Sequence, residues 1–507
     1  MGRKLDVAGR RLPASLIAIG VLLLAACQSG GQQPAASAGA RITIALGSEP
    51  TTLDPLARDD GNERAVTDNI YETLIKRTAD GKLEPGLAAA MPTQVNPTTW
   101  QFKLRRGIKF TDGEPLNADA VVATVQRVLD PSFKSEQLSF LGSIVGAKKV
   151  DDTTVDIISK DPNPLVPASM YWLRIVPPRA AHDPGFASKP VGTGPYVLEQ
   201  WVKGDHITLK ANPNYWGPKP PIQEVTYRFV EEPGTRLSGL LNGEFDLIEN
   251  LSPDDASKAP KVATVDGGQN SLVILNTMSG ITADPRVRAA LNYAVDKQAL
   301  ASKLFDGYAT VENCQFMSPD WFGYNPSLQP IPYDPTKAKQ LLQEANAIGA
   351  SIDLTSTSGR WLKDREETEA VADYWRAVGL KVNVSILEFN DYLNRLFDQK
   401  NRPQAIFLDH DNALFDASRT MDAYFARGGT GTSNNDPQLT QLVNAGDKEL
   451  NQQARLQDYQ QAAKLACDGS YFTFLVRLKD VYGLSKRLVW QPRTDGKIFV
   501  SEMKLAS

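Results

Sequence analysis

The chain has 507 residues, of which 42% are hydrophobic and 22% are charged, and its formal net charge is −4. A single hydrophobic core stops growing at about 250–300 residues, so this length favours more than one lobe. The small negative charge gives no support to nucleic-acid binding, and three histidines are too few for a histidine-rich metal protein. HExxH, CxxC and GxSxG motifs are absent, which excludes the common zinc and serine-hydrolase signatures.

Residues 1–26 have the pattern of a secretory signal peptide. A basic stretch precedes the apolar run LIAIGVLLLAAC, which is too short to span a bilayer. The end of this run resembles the bacterial lipobox, which implies cleavage before Cys27 and lipidation of its thiol. An ordinary signal followed by a chance cysteine is the alternative. Residues 27–40 form a Gly/Ser/Ala/Gln tether, so we expect a lipid-anchored protein of the cell envelope, on the periplasmic or extracellular side.

The remaining cysteines, Cys314 and Cys467, form an even pair if Cys27 is lipidated. An even pair in an oxidising compartment favours a disulfide, which here would close a long loop. Two buried free thiols are the competing interpretation.

The first half of the folded chain begins with a strand over residues 41–46, RITIAL. Val66, Ile70 and Leu74 recur at four-residue spacing and predict an amphipathic helix over residues 63–77. The stretch WQFKLRRGIKF alternates apolar residues as a strand does, and Asn117 is placed to cap a helix over residues 118–129.

The stretch VGTGPYVLEQW at residues 191–201 superficially resembles a phosphate loop. A dinucleotide fingerprint needs a third glycine where Val197 stands, and the Gly-Lys-Ser/Thr of a P-loop is missing. We therefore predict a glycine turn that leads into a strand.

The second half has the alternation of predicted strands and helices that is typical of an α/β protein. Asp284 and Pro285 open a predicted helix that extends to Gly307, and Asp334 opens a second one that extends to Gly349. Strands are predicted over residues 351–357, 380–386 and 404–408, with a helix over residues 364–378 between the first two. Such alternation of strand and helix indicates parallel strands.

Five stretches of the mature chain resemble one family, the solute-binding proteins of peptide, nickel and related ABC importers, called solute-binding family 5 or cluster C. They are EPGLAAAMP, TTWQFKLRRGIKFTDGEPLNADAVVATVQRV, PVGTGPYVLEQWVKGDHITLKANPNYWG, DPRVRAALNYAVDKQAL and YDPTKAKQLLQEAN. The longer stretches come in the order and spacing of the family.

The resemblance implies an α/β fold of the two-lobed periplasmic-binding-protein type, with an accessory subdomain and a ligand cleft between the lobes. The first lobe would comprise residues 41–65, 190–270 and 483–507, the accessory subdomain 66–189, and the second lobe 271–482. The resemblance also implies a monomeric carrier, not an enzyme, that needs no cofactor. It would capture a small solute, with di- or oligopeptides the favoured class, and deliver it to ABC permease and ATPase subunits.

Charged residues follow two predicted strands of the second lobe. Arg360 and Trp361 follow the strand over residues 351–357, and Asp409 and Asp411 follow the strand over residues 404–408. If these strands run parallel, a cation and an anion lie at one edge of the sheet, where ligands bind in α/β proteins. Such a pair suits a zwitterion, because a guanidinium binds a carboxylate with two hydrogen bonds.

The resemblance sharpens this hypothesis, because dipeptide-binding members hold the ligand carboxylate with an arginine and its amino group with an aspartate. Arg360 and Asp411 occupy the corresponding positions, and Trp361 and Phe415 would pack the apolar part of the ligand. The sequence departs from the family at residues 407–408, where Phe-Leu replaces a common Gly-Trp pair.

Several other ligands stay open. Asp409, His410 and Asp411 could be read as a metal-ligand cluster, but adjacent side chains of an extended segment point in opposite directions. A nickel–chelator complex held by Arg360 and His410, an opine or another small solute are the remaining alternatives. No constellation supports the different class of a secreted enzyme.

Overall fold

The structure is a computed structural model that describes residues 40–181 and 183–506. The predicted signal peptide, Cys27 and all but the last residue of the predicted tether lie outside these ranges. Among the described residues, no helix combines the length and apolar character that a membrane crossing requires.

The described ranges contain strands and helices that we number separately in chain order. The strands are β1 (Arg41–Leu46), β2 (Ile75–Arg77), β3 (Leu83–Pro85), β4 (Thr93–Asn96), β5 (Thr99–Lys103), β6 (Ile144–Asp151), β7 (Thr154–Ser159), β8 (Tyr196–Val202), β9 (His206–Ala211), β10 (Glu224–Phe229), β11 (Leu247–Ile248), β12 (Lys261–Leu275), β13 (Ala309–Val311), β14 (Ser351–Thr357), β15 (Lys381–Leu387), β16 (Ala405–His410), β17 (Phe472–Leu484), β18 (Leu488–Val489) and β19 (Lys504–Leu505). The α-helices are α1 (Gly61–Thr67), α2 (Ala118–Leu129), α3 (Val166–Trp172), α4 (Pro233–Leu241), α5 (Pro285–Ala294), α6 (Lys297–Ala299), α7 (Pro335–Glu344), α8 (Asp364–Ala377), α9 (Phe389–Phe397), α10 (Ala417–Tyr424), α11 (Pro437–Lys448) and α12 (Gln452–Asp468).

One large mixed sheet runs through the molecule in the order β15-β14-β16-β12-β17-β11-β1-β10-β9-β8, with β13 also paired to β17. The long strands β12 and β17 are antiparallel and belong to both halves of this sheet. Their pairing is interrupted between Asp266 and Asn270, where β12 carries Gly267 and Gly268. The two halves of the sheet are therefore joined through an irregular crossing of two strands.

The half that contains β14, β15 and β16 has the predicted α/β arrangement. β14 is parallel to β15 on one side and to β16 on the other, and α8 connects β14 to β15. The carboxyl ends of all three strands consequently meet at the same edge of the sheet. This confirms the parallel arrangement on which the predicted ligand pair depends.

A separate four-stranded antiparallel sheet, β4-β5-β7-β6, lies in the segment predicted to be an accessory subdomain. Helix α2 contacts β6 and β7 of this sheet. It begins as predicted, because the Asn117 side chain accepts a hydrogen bond from the backbone N–H of Ala120 at 3.2 Å.

The glycine turn at residues 191–195 has a structural role. A Cβ atom on Gly192 or Gly194 would lie 2.1 Å or 2.6 Å from the carbonyl oxygen of Ile70, so only glycine permits this approach. The turn leads directly into β8, as predicted.

The same contact shows why the helix predicted over residues 63–77 is wrong beyond Thr67. The carbonyl oxygens of Asn69 and Ile70 accept hydrogen bonds from the N–H groups of Tyr196 and Gly194, at 3.1 Å and 2.9 Å. These carbonyls are therefore unavailable to a continuing helix, and the chain proceeds to β2. Burial of Ile70 and Leu74 against the core produces helix-like spacing without a helix.

The helix predicted to extend from Pro285 to Gly307 is also wrong in its length. Helix α5 ends at Ala294, and α6 and a π-helical turn over Leu300–Leu304 follow. The buried ammonium of Lys297 donates a hydrogen bond to the carbonyl oxygen of Asn292 at 2.8 Å. A side chain thus satisfies a carbonyl group near the end of α5. The helix predicted to reach Gly349 likewise ends earlier, at Glu344.

Candidate ligand-binding site

Arg360 and Asp411 lie at the shared carboxyl edge of β14 and β16. Both residues are exposed, and within residues 40–181 and 183–506 neither side chain has a hydrogen bond or an ion pair. The Arg360 guanidinium lies 5.2 Å from the centre of the Phe389 ring, a contact that leaves its N–H donors free. The sheet edge therefore presents an uncompensated cation and an uncompensated anion.

Trp361 belongs to an aromatic group beside Arg360. Its ring meets those of Phe389, Tyr392 and Phe407 edge-on, with centroid distances of 6.2, 5.8 and 6.3 Å. Phe389 and Tyr392 are on α9, and sequence analysis did not identify them as site residues. Their position on the helix that directly follows β15, a third strand ending at this edge, was the available signal.

Asp409 lies beneath the exposed pair. It is 5% exposed, and its Oδ1 atom is buried without a hydrogen-bond partner. Burial, together with the nearby charges of Asp411 and Asp364, raises the pKa of Asp409 to about 8. Asp411 directly follows the last residue of β16, two residues beyond Asp409, and its charge acts on the Asp409 carboxyl group.

A second buried acid, Glu367 on α8, lies next to Asp409. Its Oε1 atom accepts a hydrogen bond from the Ser271 hydroxyl at 2.7 Å, and Ser271 pairs with Asp409 in the sheet. Burial and the proximity of Asp409 raise the pKa of Glu367 to about 8. The floor of the site thus holds two carboxyl groups that are largely protonated at neutral pH, and sequence analysis missed Glu367.

His410 points to the opposite side of β16, as the alternation of side chains predicts. Its imidazole contacts the rings of Phe316 and Tyr424, and Nε2 lies 2.9 Å from the Thr420 hydroxyl. Burial lowers the pKa of His410 to about 4. No group of three or more His, Cys, Asp or Glu side chains in the described part of the chain is arranged to hold a metal ion.

Phe415 has different neighbours from the other predicted site residues. It is 8% exposed, has a backbone φ of 56°, and lies 4.1 Å from the Arg77 guanidinium and 6.2 Å from the Trp321 ring. These three residues line a cavity of about 800 Å³ between the second half of the chain and the segment of the predicted accessory subdomain. Arg360, Trp361, Asp409 and Asp411 do not line that cavity.

The loop that carries Arg360 also contacts the other half of the molecule. The Lys363 ammonium lies 2.9 Å from a carboxylate oxygen of Asp254, in the 3-10 helix Pro253–Lys258 that precedes β12. Arg360 is therefore close to the junction between the two halves of the molecule.

A disulfide joins Cys314 to Cys467, whose Cα atoms are 5.4 Å apart. Cys314 lies in an aromatic-rich core cluster, and Cys467 is at the end of α12. The disulfide therefore links the end of α12 to the core cluster that packs on the His410 side of β16.

Comparison with known proteins agrees with this architecture. The family model described as "Bacterial extracellular solute-binding proteins, family 5 Middle" matches residues 82–449. The glutathione-binding protein GsiB of Shigella boydii is 33% identical over 346 residues, which cover 66% of this chain and 65% of that relative. The matched region thus spans slightly less than two thirds of this relative's length.

Solved structures share the fold. The periplasmic binding protein DppA from Helicobacter pylori, in complex with the peptide STSA, has 22% identity and a TM-score of 0.74. That comparison covers 92% of this chain and 98% of DppA. NikA from Brucella suis, in complex with Fe(III)-EDTA, has 22% identity and a TM-score of 0.82, over 92% of this chain and 100% of NikA. The extent of the family match shows that the chain belongs to the bacterial extracellular solute-binding proteins of family 5.

Proposed function

We propose that this chain is the extracytoplasmic substrate-binding component of an ABC importer and that its ligands are short peptides. The observation that carries this proposal is the exposed, unpaired couple of Arg360 and Asp411 at one sheet edge. A peptide is a zwitterion whose carboxylate matches the guanidinium and whose ammonium matches the aspartate.

The relatives support peptides as the ligand class. GsiB is named for binding glutathione, a tripeptide, and DppA was solved with the peptide STSA. The identity to DppA is too low to argue for more than the fold, so the support comes from GsiB and from the geometry of the edge.

Each predicted site residue then has a distinct role. Arg360 binds the ligand carboxylate, Asp411 binds the ammonium, and Asp409 lies beneath Asp411 as a further carboxyl group that an arriving cation can ionise. Trp361 packs the apolar part of the ligand. Phe415 would contact only a ligand long enough to reach the cavity beside Arg77.

The domain division assigned from the sequence is part of this proposal. The first lobe (41–65, 190–270 and 483–507) and the second lobe (271–482) would close on the ligand about the interrupted crossing of β12 and β17. Closure would exclude water and strengthen both ion pairs, because the effective dielectric constant falls on burial.

Membrane attachment and partners complete the proposal. Lipidated Cys27 would anchor a monomer outside the cytoplasmic membrane, where it delivers ligand to a permease and its ATPase without chemical turnover. Cys27→Ala should abolish cleavage or release the protein from the membrane fraction. Unchanged size and detergent partition of that variant would contradict the anchor.

Isothermal titration calorimetry with a ligand panel tests the ligand class. The panel contains dipeptides, tripeptides including glutathione, and versions with an amidated carboxyl end or an acetylated amine. We expect free peptides to bind and either modification to weaken binding by about 30-fold or more, since a stranded charge costs roughly 2–5 kcal/mol. Absence of binding by every peptide would contradict the proposal.

A nickel–chelator complex is the second candidate, which the residue types at the sheet edge leave open. It would use Arg360 for the carboxylates of the chelator, but His410 faces the aromatic cluster behind the strand. Binding of a nickel–histidine complex in the same titrations, without binding of any peptide, would favour this alternative.

A further inference from the structure

Asp364 is a buried carboxylate that shapes the loop carrying Arg360. The residue is 2% exposed and begins α8. Its Oδ2 atom accepts hydrogen bonds from the backbone N–H groups of Arg360 and Trp361, at 2.9 Å and 3.0 Å. Its Oδ1 atom accepts from the N–H groups of Gly359 and Arg365, at 3.0 Å and 2.8 Å.

These four hydrogen bonds fold residues 358–363 back over the start of α8. The turn includes Gly359 at φ 80° and Lys363 at φ 54°, both in the left-handed region. Such a conformation persists in a non-glycine residue when surrounding contacts hold it. Asp364 supplies such contacts from inside the loop at Gly359, Arg360 and Trp361.

A second contact holds the same loop from outside. The Lys363 ammonium donates to the carbonyl oxygen of Leu304 at 2.8 Å and pairs with Asp254 at 2.9 Å. The backbone on both sides of Arg360 is thus fixed, whereas the Arg360 side chain stays exposed and has no acidic partner among the described residues.

We propose that Asp364 is a positioning residue for ligand binding, which sets the direction of the Arg360 guanidinium through the backbone of its loop. This inference rests on the proposed function of Arg360. The Asp364 oxygens are occupied by backbone N–H groups, so they orient Arg360 without neutralising it. A receptor gains affinity when a binding group is held in its productive geometry before the ligand arrives.

A purely structural role is the alternative, because a carboxylate in the first turn of a helix also stabilises that helix. Melting temperature does not separate the two roles, since loss of Asp364 lowers it in both cases. The two roles differ in whether the loss of affinity depends on Arg360 and on the ligand carboxylate.

A double-mutant cycle with Asp364→Asn and Arg360→Ala separates them. The asparagine keeps the shape of the side chain but replaces one acceptor oxygen with a donor. We expect Asp364→Asn alone to weaken binding of a free dipeptide about tenfold, which corresponds to about 1.4 kcal/mol. We expect no further weakening when it is added to Arg360→Ala, and no effect on the C-amidated dipeptide. Asp364→Ser, with a shorter acceptor, should behave in the same way if the asparagine variant does not fold.

Asp334→Asn is the matched control, because Asp334 caps α7 through a 2.9 Å hydrogen bond from the N–H of Lys337 and lies in another element. It should leave affinity unchanged, and it should change the melting temperature little, because asparagine caps a helix about as well as aspartate does. Equal weakening by Asp364→Asn in both Arg360 backgrounds, or for free and amidated peptide alike, would overturn the positioning role while leaving the proposed function intact. If Arg360→Ala itself leaves peptide binding unchanged, both the proposed site and the positioning role are overturned.

Discussion

Asp411 and Asp416 are five residues apart on the loop that follows β16, yet their surroundings are opposite. Asp416 is 6% exposed, and Arg455 on α12 donates to both of its carboxylate oxygens, at 2.7 Å and 2.5 Å. Asp411 is exposed and has no partner among the described residues. One carboxylate is committed to the fold, and the other is available for a ligand.

The same contrast separates two arginines of the second half of the chain. Arg455 is buried, is paired with Asp416 and also donates to the carbonyl oxygen of Gly446 at 3.0 Å. Arg360 is exposed, and only its backbone is held. If Arg360 and Asp411 bind the ligand as proposed, stability and ligand binding use different charges, so substitutions should be able to change one property without the other.

The largest effect on the structural side should come from the disulfide on the α12 layer. Cys314 and Cys467 are separated by 153 residues, and the chain-entropy model gives about 5 kcal/mol for closing a loop of that length. The double variant Cys314→Ser/Cys467→Ser should therefore lose several kcal/mol in urea unfolding at pH 7. Reductant should lower the stability of the natural chain similarly and leave the double variant unaffected. A loss of less than about 1 kcal/mol in the free energy of unfolding would show that the disulfide contributes little to stability.

Breaking the buried ion pair should have the next largest effect. Arg455→Ala strands the Asp416 carboxylate in the interior, which typically costs about 3–5 kcal/mol. Asp411→Ala, on the exposed side of the same loop, should change stability by less than about 0.5 kcal/mol. Urea unfolding of both variants side by side measures the contrast. Equal losses from the two substitutions would remove the distinction between structural and available carboxylates.

The two protonated carboxyl groups beneath the candidate site should make stability depend on pH. Asp409 and Glu367 have a pKa of about 8 in the folded protein, well above the ordinary values of about 4 for these residues in unfolded chains. Between about pH 4 and pH 8 the folded state binds more protons than the unfolded state, so these groups make stability fall as pH rises. Asp409→Asn should make the stability curve flatter in that window, and Asp411→Asn should flatten it less, because it removes only one of the causes that raise the pKa of Asp409. An identical slope in the natural chain and the Asp409 variant would show that Asp409 ionises normally.

Much of this arrangement could be predicted from local patterns. The caps at Asn117 and Asp284, the strands predicted over residues 351–357 and 404–408, and the parallel edge that Arg360 and Asp411 share all depend on short-range signals. Where those signals are strong, tertiary contacts agree with them.

Other features depend on distant parts of the chain and could not be predicted. Helix α1 ends early because the turn at residues 192–196 contacts the chain just after it. Ile70 is buried there without being helical, although its spacing from Val66 fits a helix. Glu367 became part of the site because α8 packs its first turns against β12 through Ser271. Phe415 turned toward Arg77 because its own loop adopts a left-handed backbone conformation there.

The most direct test of the central claim is a thermodynamic cycle on Arg360 and the ligand carboxylate, measured by isothermal titration calorimetry. The natural chain and the Arg360→Ala variant are each titrated with a dipeptide and with its C-terminal amide. We expect the natural chain to prefer the free acid by about 30-fold or more, and the variant to bind both forms with nearly equal, weak affinity. The same preference for the free acid in both proteins would contradict the assignment of Arg360 as the residue that binds the ligand carboxylate.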